Sequence, residues 1–277
     1  TILARKSVRR YKRRALDAET VRRIESILGR ESVPGPFGVT PRFEFRSAEA
    51  MSSVGRLGTY GVIRDAPAYV VGAVGPSAGA MEDFGYRMEG FVLEATAMGL
   101  GTCWMAGTFS PETAARLVTL QDGEKIPAVT PVGFPSGGSH LVGGVFKLVA
   151  RSSTRLPWEE LFFDGRLDRP LTPETSGKWQ DVLECVRQGP SGVNRQPWRI
   201  VLERHEGRDR LHLYLAGENA QAGLANAPDM RRVDMGIAMR HVAESASVKG
   251  IGGAWARPED VPDGVASSDW AYVATWS

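Results

Sequence analysis

Apolar residues recur at helical spacing at Val21, Ile24, Ile27 and Leu28, and again at Trp179, Val182, Leu183 and Val186. The spacing predicts amphipathic helices over Asp17–Leu28 and Pro173–Gln188. Each pattern runs through a Gly/Pro turn into a short run that reads as a strand, Arg42–Arg46 after the first and Trp198–Leu202 after the second. Tyr69–Val74, Ala128–Phe134, Arg210–Leu215 and Tyr272–Trp276 are four further strands by the same criterion. Two longer helices, Asp83–Met98 and Asp234–Lys249, are predicted to start at an aspartate N-cap and to end at a glycine followed by a G-x-G turn. Helices and strands interleave without the regular alternation of a parallel βαβ array, so the expected class is α+β.

The two longer helices belong to a repeat. Met81–Trp104 laid over Arg232–Trp255 gives seven identities in 24 places: Asp83/Asp234, Gly85/Gly236, Met88/Met239, Ala95/Ala246, Gly99/Gly250, Gly101/Gly252 and Trp104/Trp255. About two would arise by chance at ordinary residue frequencies. The chain therefore reads as a duplication, with halves at 1–150 and 151–277 and a crossover over 137–173. Trp158, Leu161, Phe162 and Phe163 in that crossover need a surface to pack on, which argues against a loose linker. The small residues along the repeated helices fit either a seam where two helix backbones approach or a core helix in each half.

Charge adds an asymmetry that the net value of +2 conceals. Seven of the 34 cations lie within residues 1–14 (Arg5, Lys6, Arg9, Arg10, Lys12, Arg13, Arg14), which hold no acid; the remaining 27 face 32 anions. Such an arm suits a bound phosphate, a nucleic acid, a targeting address or plain solvation. The acidic body lacks the spread of cations and stacking aromatics that a nucleic-acid surface needs. Composition is globular, with 42% hydrophobic and 24% charged residues. The longest nearly apolar run, Ala66–Val74, is far short of the roughly 18 residues of a membrane span. Cys103, Cys185 and four scattered histidines show no metal-ligand spacing, so no metal is expected. The basic N-terminus has no apolar segment after it, and the expected compartment is the cytoplasm.

The most distinctive string is Gly189-Pro190-Ser191-Gly192-Val193-Asn194-Arg195-Gln196-Pro197-Trp198. Its prolines stiffen both ends, and Ser191, Asn194 and Gln196 offer groups that could read a planar heterocycle or serve the loop's own backbone. With Arg5-Lys6-Ser7-Val8-Arg9 and Gly99-Leu100-Gly101-Thr102-Cys103-Trp104 it resembles the P-S-x-x-N-x-Q-P-W, R-R-S-x-R and G-L-G-[ST]-x-W segments of the nitroreductase-like flavoproteins. In the ordinary family the first two segments lie close together in one subunit; here almost two hundred residues separate them. The resemblance is therefore to a single-chain branch: two tandem nitroreductase-like halves, each a mixed sheet flanked by helices, packed as an intramolecular pseudo-dimer.

That resemblance implies FMN, bound where family dimers place it, at the interface of the subunits. Arg5, Ser7 and Arg9 match positions toward the phosphate and ribityl chain, with Arg155, and Arg151 assisting, near the phosphate. Thr59, Tyr60 and Gly61 complete the same side, backbone N–H groups of Met105, Ala106 and Gly107 fall where the family donates to the flavin, and Ser191, Asn194 and Gln196 come from the second half. The mirror position carries no cations before Trp179 until Lys178, and Phe37-Gly38-Val39-Thr40-Pro41 stands where Val193-Asn194-Arg195-Gln196-Pro197 supplies amides, so one FMN per chain is expected. Cys103 has no evident base and reads as a buried filler. The implied activity is transfer of hydride from NAD(P)H to an electron-poor small molecule such as a nitroaromatic or quinone, by a monomeric pseudo-dimer, with no protein acid or base required and no nucleic-acid or membrane partner. A non-catalytic flavin-binding or scaffold protein with a decayed site is the alternative. The arm is expected to contribute little apolar burial.

Overall fold

A computed structural model describes residues 1–52, 62–106, 111–137, 154–205, 207–217, 229–257 and 270–277. The chain divides into two compact units, Thr1–Leu148 and Val149–Ser277.

The first unit runs α1 (Ala18–Glu31), β1 (Arg42–Ser47), α2 (Ala48–Ser52), β2 (Ala68–Ala73), α3 (Ala80–Ala97), β3 (Gly101–Thr102), α4 (Pro111–Ala115) and β4 (Val129–Gly133). Asp17 caps α1 by accepting the Thr20 N–H at 2.8 Å, and Ile24, Ile27 and Leu28 form its buried stripe. The sheet has the order β1-β2-β4-β3, every pairing antiparallel. Helix α1 packs on α3 and β1. The second unit runs α5 (Trp158–Leu161), β5 (Phe162–Asp164), α6 (Gln180–Arg187), β6 (Trp198–His205), β7 (Arg208–Leu215), α7 (Met230–Val248), β8 (Trp255–Ala256) and β9 (Ala271–Trp276). Its sheet order is β5-β6-β7-β9-β8; β5 joins parallel to β6, and the other pairings are antiparallel.

Without β5, the second order is the first one repeated, with β6, β7, β9 and β8 standing for β1, β2, β4 and β3. The long helix falls between the second strand and the short strand in both units. The tandem α+β halves inferred from the repeat are thus present as two sheets of one topology, each flanked by helices.

Four details differ from expectation. Both long helices begin earlier than their repeated aspartates: α3 starts after Gly79, whose φ is +82°, and α7 is capped by Asp229, which accepts the Arg231 N–H at 3.1 Å. Asp83 and Asp234 are therefore interior residues with another task, described below. The helix predicted from Pro173 starts late, because Thr175 Oγ1 accepts the Thr172 N–H and Gly177 adopts φ +59°. A 3-10 turn at Gly177–Trp179 then leads into α6. Within the crossover, Phe162 and Phe163 form β5, buried with Trp158 and Leu161.

The N-terminal arm is also more than a solvated tail. Ile2 and Tyr11 are buried, and Tyr11 joins Ile63, Val71, Cys103, Met105 and Val129 in one core cluster. The backbone docks like a strand: Val8 donates to Thr102 O at 2.7 Å, Tyr11 to Arg64 O at 3.1 Å and Lys12 to Phe134 O at 2.9 Å. The low apolar burial expected of the arm is overturned, since one aromatic in a charged stretch suffices to anchor it.

Candidate functional site

In the first unit, a 3-10 turn at Ile2–Ala4 delivers Arg5 into extended backbone, and Ser7 bridges Thr102. Residues i, i+2 and i+4 of an extended segment face one way, so R-x-S-x-R presents Arg5, Ser7 and Arg9 together. All three act on the Cys103 thiol. Burial pushes that thiol's pKa up, while the Arg9 and Arg5 charges and a hydrogen bond from Ser7 pull it back. Cys103 is 5% exposed, as expected of a filler, and its N–H donates to Thr130 Oγ1 at 3.1 Å.

Gly101 explains the G-x-G turn. A Cβ there would lie 2.6 Å from the Val8 side chain, so only glycine lets the arm lie against the strand. Its repeat counterpart Gly252 has no described atom within 4 Å of such a Cβ. Among the described residues the same turn receives an arm in the first unit and none in the second.

The guanidinium groups carry the electrostatic content. Arg5 is 9% exposed, and the Nε atoms of Arg5 and Arg9 are buried without a hydrogen-bond partner among the described residues. Among the described residues neither arginine makes an ion pair. Burying a charged donor without a partner costs about 1–3 kcal/mol or more, which an anion arriving at the site would offset. Met105, by contrast, donates its N–H to Val129 O at 3.0 Å and is not available as the cofactor donor assigned to it; its β pairing was not anticipated because β3 and its extension are too short to read from sequence. Ala106 follows it in a bend. Thr59, Tyr60, Gly61, Gly107 and Arg151 lie outside the described residues.

In the second unit the structure brings Arg155, Ser191, Asn194 and Gln196 together. Asn194 Nδ2 donates to Thr154 O at 2.7 Å, and Arg155 Nη1 donates to Asn194 Oδ1 at 3.1 Å. Gln196, 2% exposed, accepts the Leu156 N–H at 3.1 Å, and its own N–H donates to Ser191 Oγ at 2.8 Å. These polar groups brace the loop and the 154–156 segment, which is the self-serving alternative left open by the sequence. They border a groove of about 270 Å³ lined by Thr154, Leu156, Val193, Asn194, Arg195 and Gln196. Val193, Asn194 and Gln196 all have positive φ, at +52°, +56° and +49°. For β-branched Val193 this region is a genuine outlier, costing roughly 1 kcal/mol or more.

The repeated aspartates hold the loops of the two units. Asp234 on α7 accepts the Gly192 N–H at 3.0 and 3.1 Å from its two oxygens. Asp83 on α3 accepts the Phe37 N–H at 3.0 and 3.1 Å and the Val39 N–H at 2.8 Å. Burial raises both pKa values, that of Asp234 to about 8, with Asp229 adding to the rise and Gly192 and Arg195 opposing it. Sequence reasoning found these two residues through the repeat but gave them the wrong role.

Among the described residues no group of three or more His, Cys, Asp or Glu side chains is placed to hold a metal, and no helix is long and apolar enough to cross a membrane.

Comparison with known proteins gives a family model described as "Putative TM nitroreductase", which matches residues 1–246. A "putative nitroreductase" from Thermotoga maritima of known structure is 18% identical over 99% of this chain and 89% of its own, with a TM-score of 0.58, a likeness of fold. A nitroreductase with bound FMN from Bacteroides fragilis is 21% identical, covering 51% of this chain and 90% of its own at a TM-score of 0.41. An oxidoreductase containing FMN is 19% identical, covering 61% and 92% at 0.49. A search of curated proteins gives no match.

Proposed function

Since the chain belongs to the nitroreductase family whose model spans residues 1–246, we propose that it is an FMN-dependent oxidoreductase carrying hydride from NAD(P)H to an electron-poor small molecule such as a nitroaromatic or a quinone. The observation that carries this reading is the pair of buried Nε atoms of Arg5 and Arg9, on one face of the arm, that have no hydrogen-bond partner among the described residues. Arginine is suited to phosphate because its planar fork makes charge-assisted bonds of about 1.5–3 kcal/mol each. FMN offers a dianionic phosphate for these two residues, and the Ser7 hydroxyl beside them suits the adjoining ribityl oxygens.

FMN, when bound, supplies the two-electron chemistry, and the chain supplies binding, orientation and access. Arg5 and Arg9 fix the phosphate end. The Ser191–Pro197 loop, held rigid by its own amides, offers a fixed edge and a shallow groove rather than free side-chain amides. Ala106 and Gly107 remain as candidate backbone donors, with Thr59, Tyr60, Gly61, Arg151 and Arg155 assisting. No side-chain acid or base is assigned to the transfer. Two units of one topology support the reading of the chain as two fused nitroreductase-like halves, of which the first carries the arm and the second the amide loop.

The test is direct. Purified protein is incubated with FMN and freed of excess, and the visible spectrum is recorded before and after anaerobic addition of NADH or NADPH. The expected result is a retained flavin band that bleaches with one nicotinamide and recovers with a nitroaromatic or quinone. A chain that retains no flavin refutes the cofactor, and a retained band that neither nicotinamide bleaches refutes the activity.

A further inference from the structure

We propose that Asp234 is a positioning residue for the cofactor loop, holding Ser191–Pro197 in its binding shape through the Gly192 N–H. This rests on the reading that the chain binds FMN. The loop needs an outside anchor because Val193, Asn194 and Gln196 occupy left-handed backbone, and Val193, 63% exposed, gains no compensating burial there. Within the loop Gln196 is tied to Ser191, and Gln196 and Asn194 are tied to Leu156 and Thr154 of the 154–156 segment. Asp234 ties the loop to the long helix, and it does so from a buried position on an element of 19 residues. The groups that act on its carboxylate are the Gly192 N–H, Asp229 at the start of α7 and Arg195 in the loop.

The duplication supplies a matched control. Asp83 makes the same kind of bond from α3 to the Phe37–Thr40 loop, which has no amide side chain to offer a cofactor. Leucine has the shape of aspartate without an acceptor, so Asp234→Leu and Asp83→Leu remove the two anchors while leaving the helices filled. Asparagine keeps one acceptor oxygen.

FMN affinity is read by quenching of flavin fluorescence, and loop order by amide hydrogen exchange of the ligand-free protein over Gln188–Trp198. The expected result is that Asp234→Leu weakens FMN binding about tenfold and speeds exchange in that loop, whereas Asp83→Leu changes FMN affinity less than about twofold. Asp234→Asn should retain most of the affinity, and Val193→Gly in the Asp234→Leu background should restore part of it by relieving the left-handed strain. Equal FMN affinity of Asp234→Leu and the parent overturns the proposal, as does an equal loss in both leucine variants. If the parent itself does not bind FMN, the functional reading fails, and the exchange measurement decides the anchor alone: unchanged exchange in Asp234→Leu overturns it and faster exchange supports it.

Discussion

Replacing Arg5 by methionine should make the protein more stable and worse at holding its cofactor. Methionine keeps the apolar stem and removes the charged head. Arg5 is 9% exposed with a buried Nε that has no partner among the described residues. An unsatisfied buried donor costs about 1–3 kcal/mol, so removing it should raise stability by about 1 kcal/mol, or about 2–4 °C in Tm for a chain of this size class. The opposite holds once FMN is added. One charge-assisted phosphate contact, worth about 1.5–3 kcal/mol, is lost, and at tenfold per 1.4 kcal/mol the FMN Kd rises about 10- to 100-fold. Arg5→Ala combined with Arg9→Ala should reach about one hundredfold, since two groups on one phosphate seldom add fully. Riboflavin, which has no phosphate, should bind parent and variants alike. Differential scanning fluorimetry with and without FMN, together with fluorescence quenching by both ligands, measures every term. A methionine variant that melts lower than the parent and binds FMN equally well would show that the arginine is a structural element of the arm and refute the reasoning.

Titration with FMN should saturate at about one per chain, because the Phe37–Thr40 loop has no amide side chains and, among the described residues, no basic arm docks at Gly252; two equivalent sites would contradict the asymmetry. Tyr11→Ala should destabilise the first unit by about 3–5 kcal/mol in denaturant unfolding, as for other buried aromatics. Stability should also depend on pH through Asp234. Its folded pKa of about 8 lies above the ordinary aspartate value of 3.8, so across that interval the folded chain holds a proton the unfolded chain has lost. The unfolding free energy therefore falls as pH rises from about 4 to 8, with Asp83 contributing in the same direction, and Asp234→Asn should flatten the profile, as followed by urea unfolding at several pH values.

The sequence was most informative where a pattern extends over many residues. Helix α1, the cores of six strands and the repeated helices were all legible from periodicity and from the repeat. Strands β3 and β8 were not, because two residues carry no period, and β5 was hidden because its two apolar residues, Phe162 and Phe163, in a Gly/Ser/Pro-rich crossover read equally well as packing. The arm was misjudged because its charges outnumber Tyr11, whose burial depends on a groove assembled from Arg64, Gly133 and Pro135 far along the chain. Asp83 and Asp234 were identified correctly as special, but an N-cap and an interior anchor use the same residue type, and only the tertiary position of the loops distinguishes them. The amides of Asn194 and Gln196 illustrate the same limit: sequence shows that a group can hydrogen-bond, while their partners at Thr154 and Leu156 lie about forty residues away.

The aspartate anchor has a consequence for redesign. It grips main-chain N–H groups, those of Phe37 and Val39 in the first unit and of Gly192 in the second, so the gripped residues themselves need only supply an N–H. Phe37-Gly38-Val39-Thr40 and Val193-Asn194-Arg195-Gln196 have no residue in common when laid side by side, although each loop is fastened from its own long helix by the same acid. The fold thus works as a socket that accepts interchangeable inserts. Transplanting Gly192–Gln196, which includes the gripped N–H, in place of Pro36–Thr40 is accordingly a compact route to a second recognition loop, with Asp83 standing where Asp234 does.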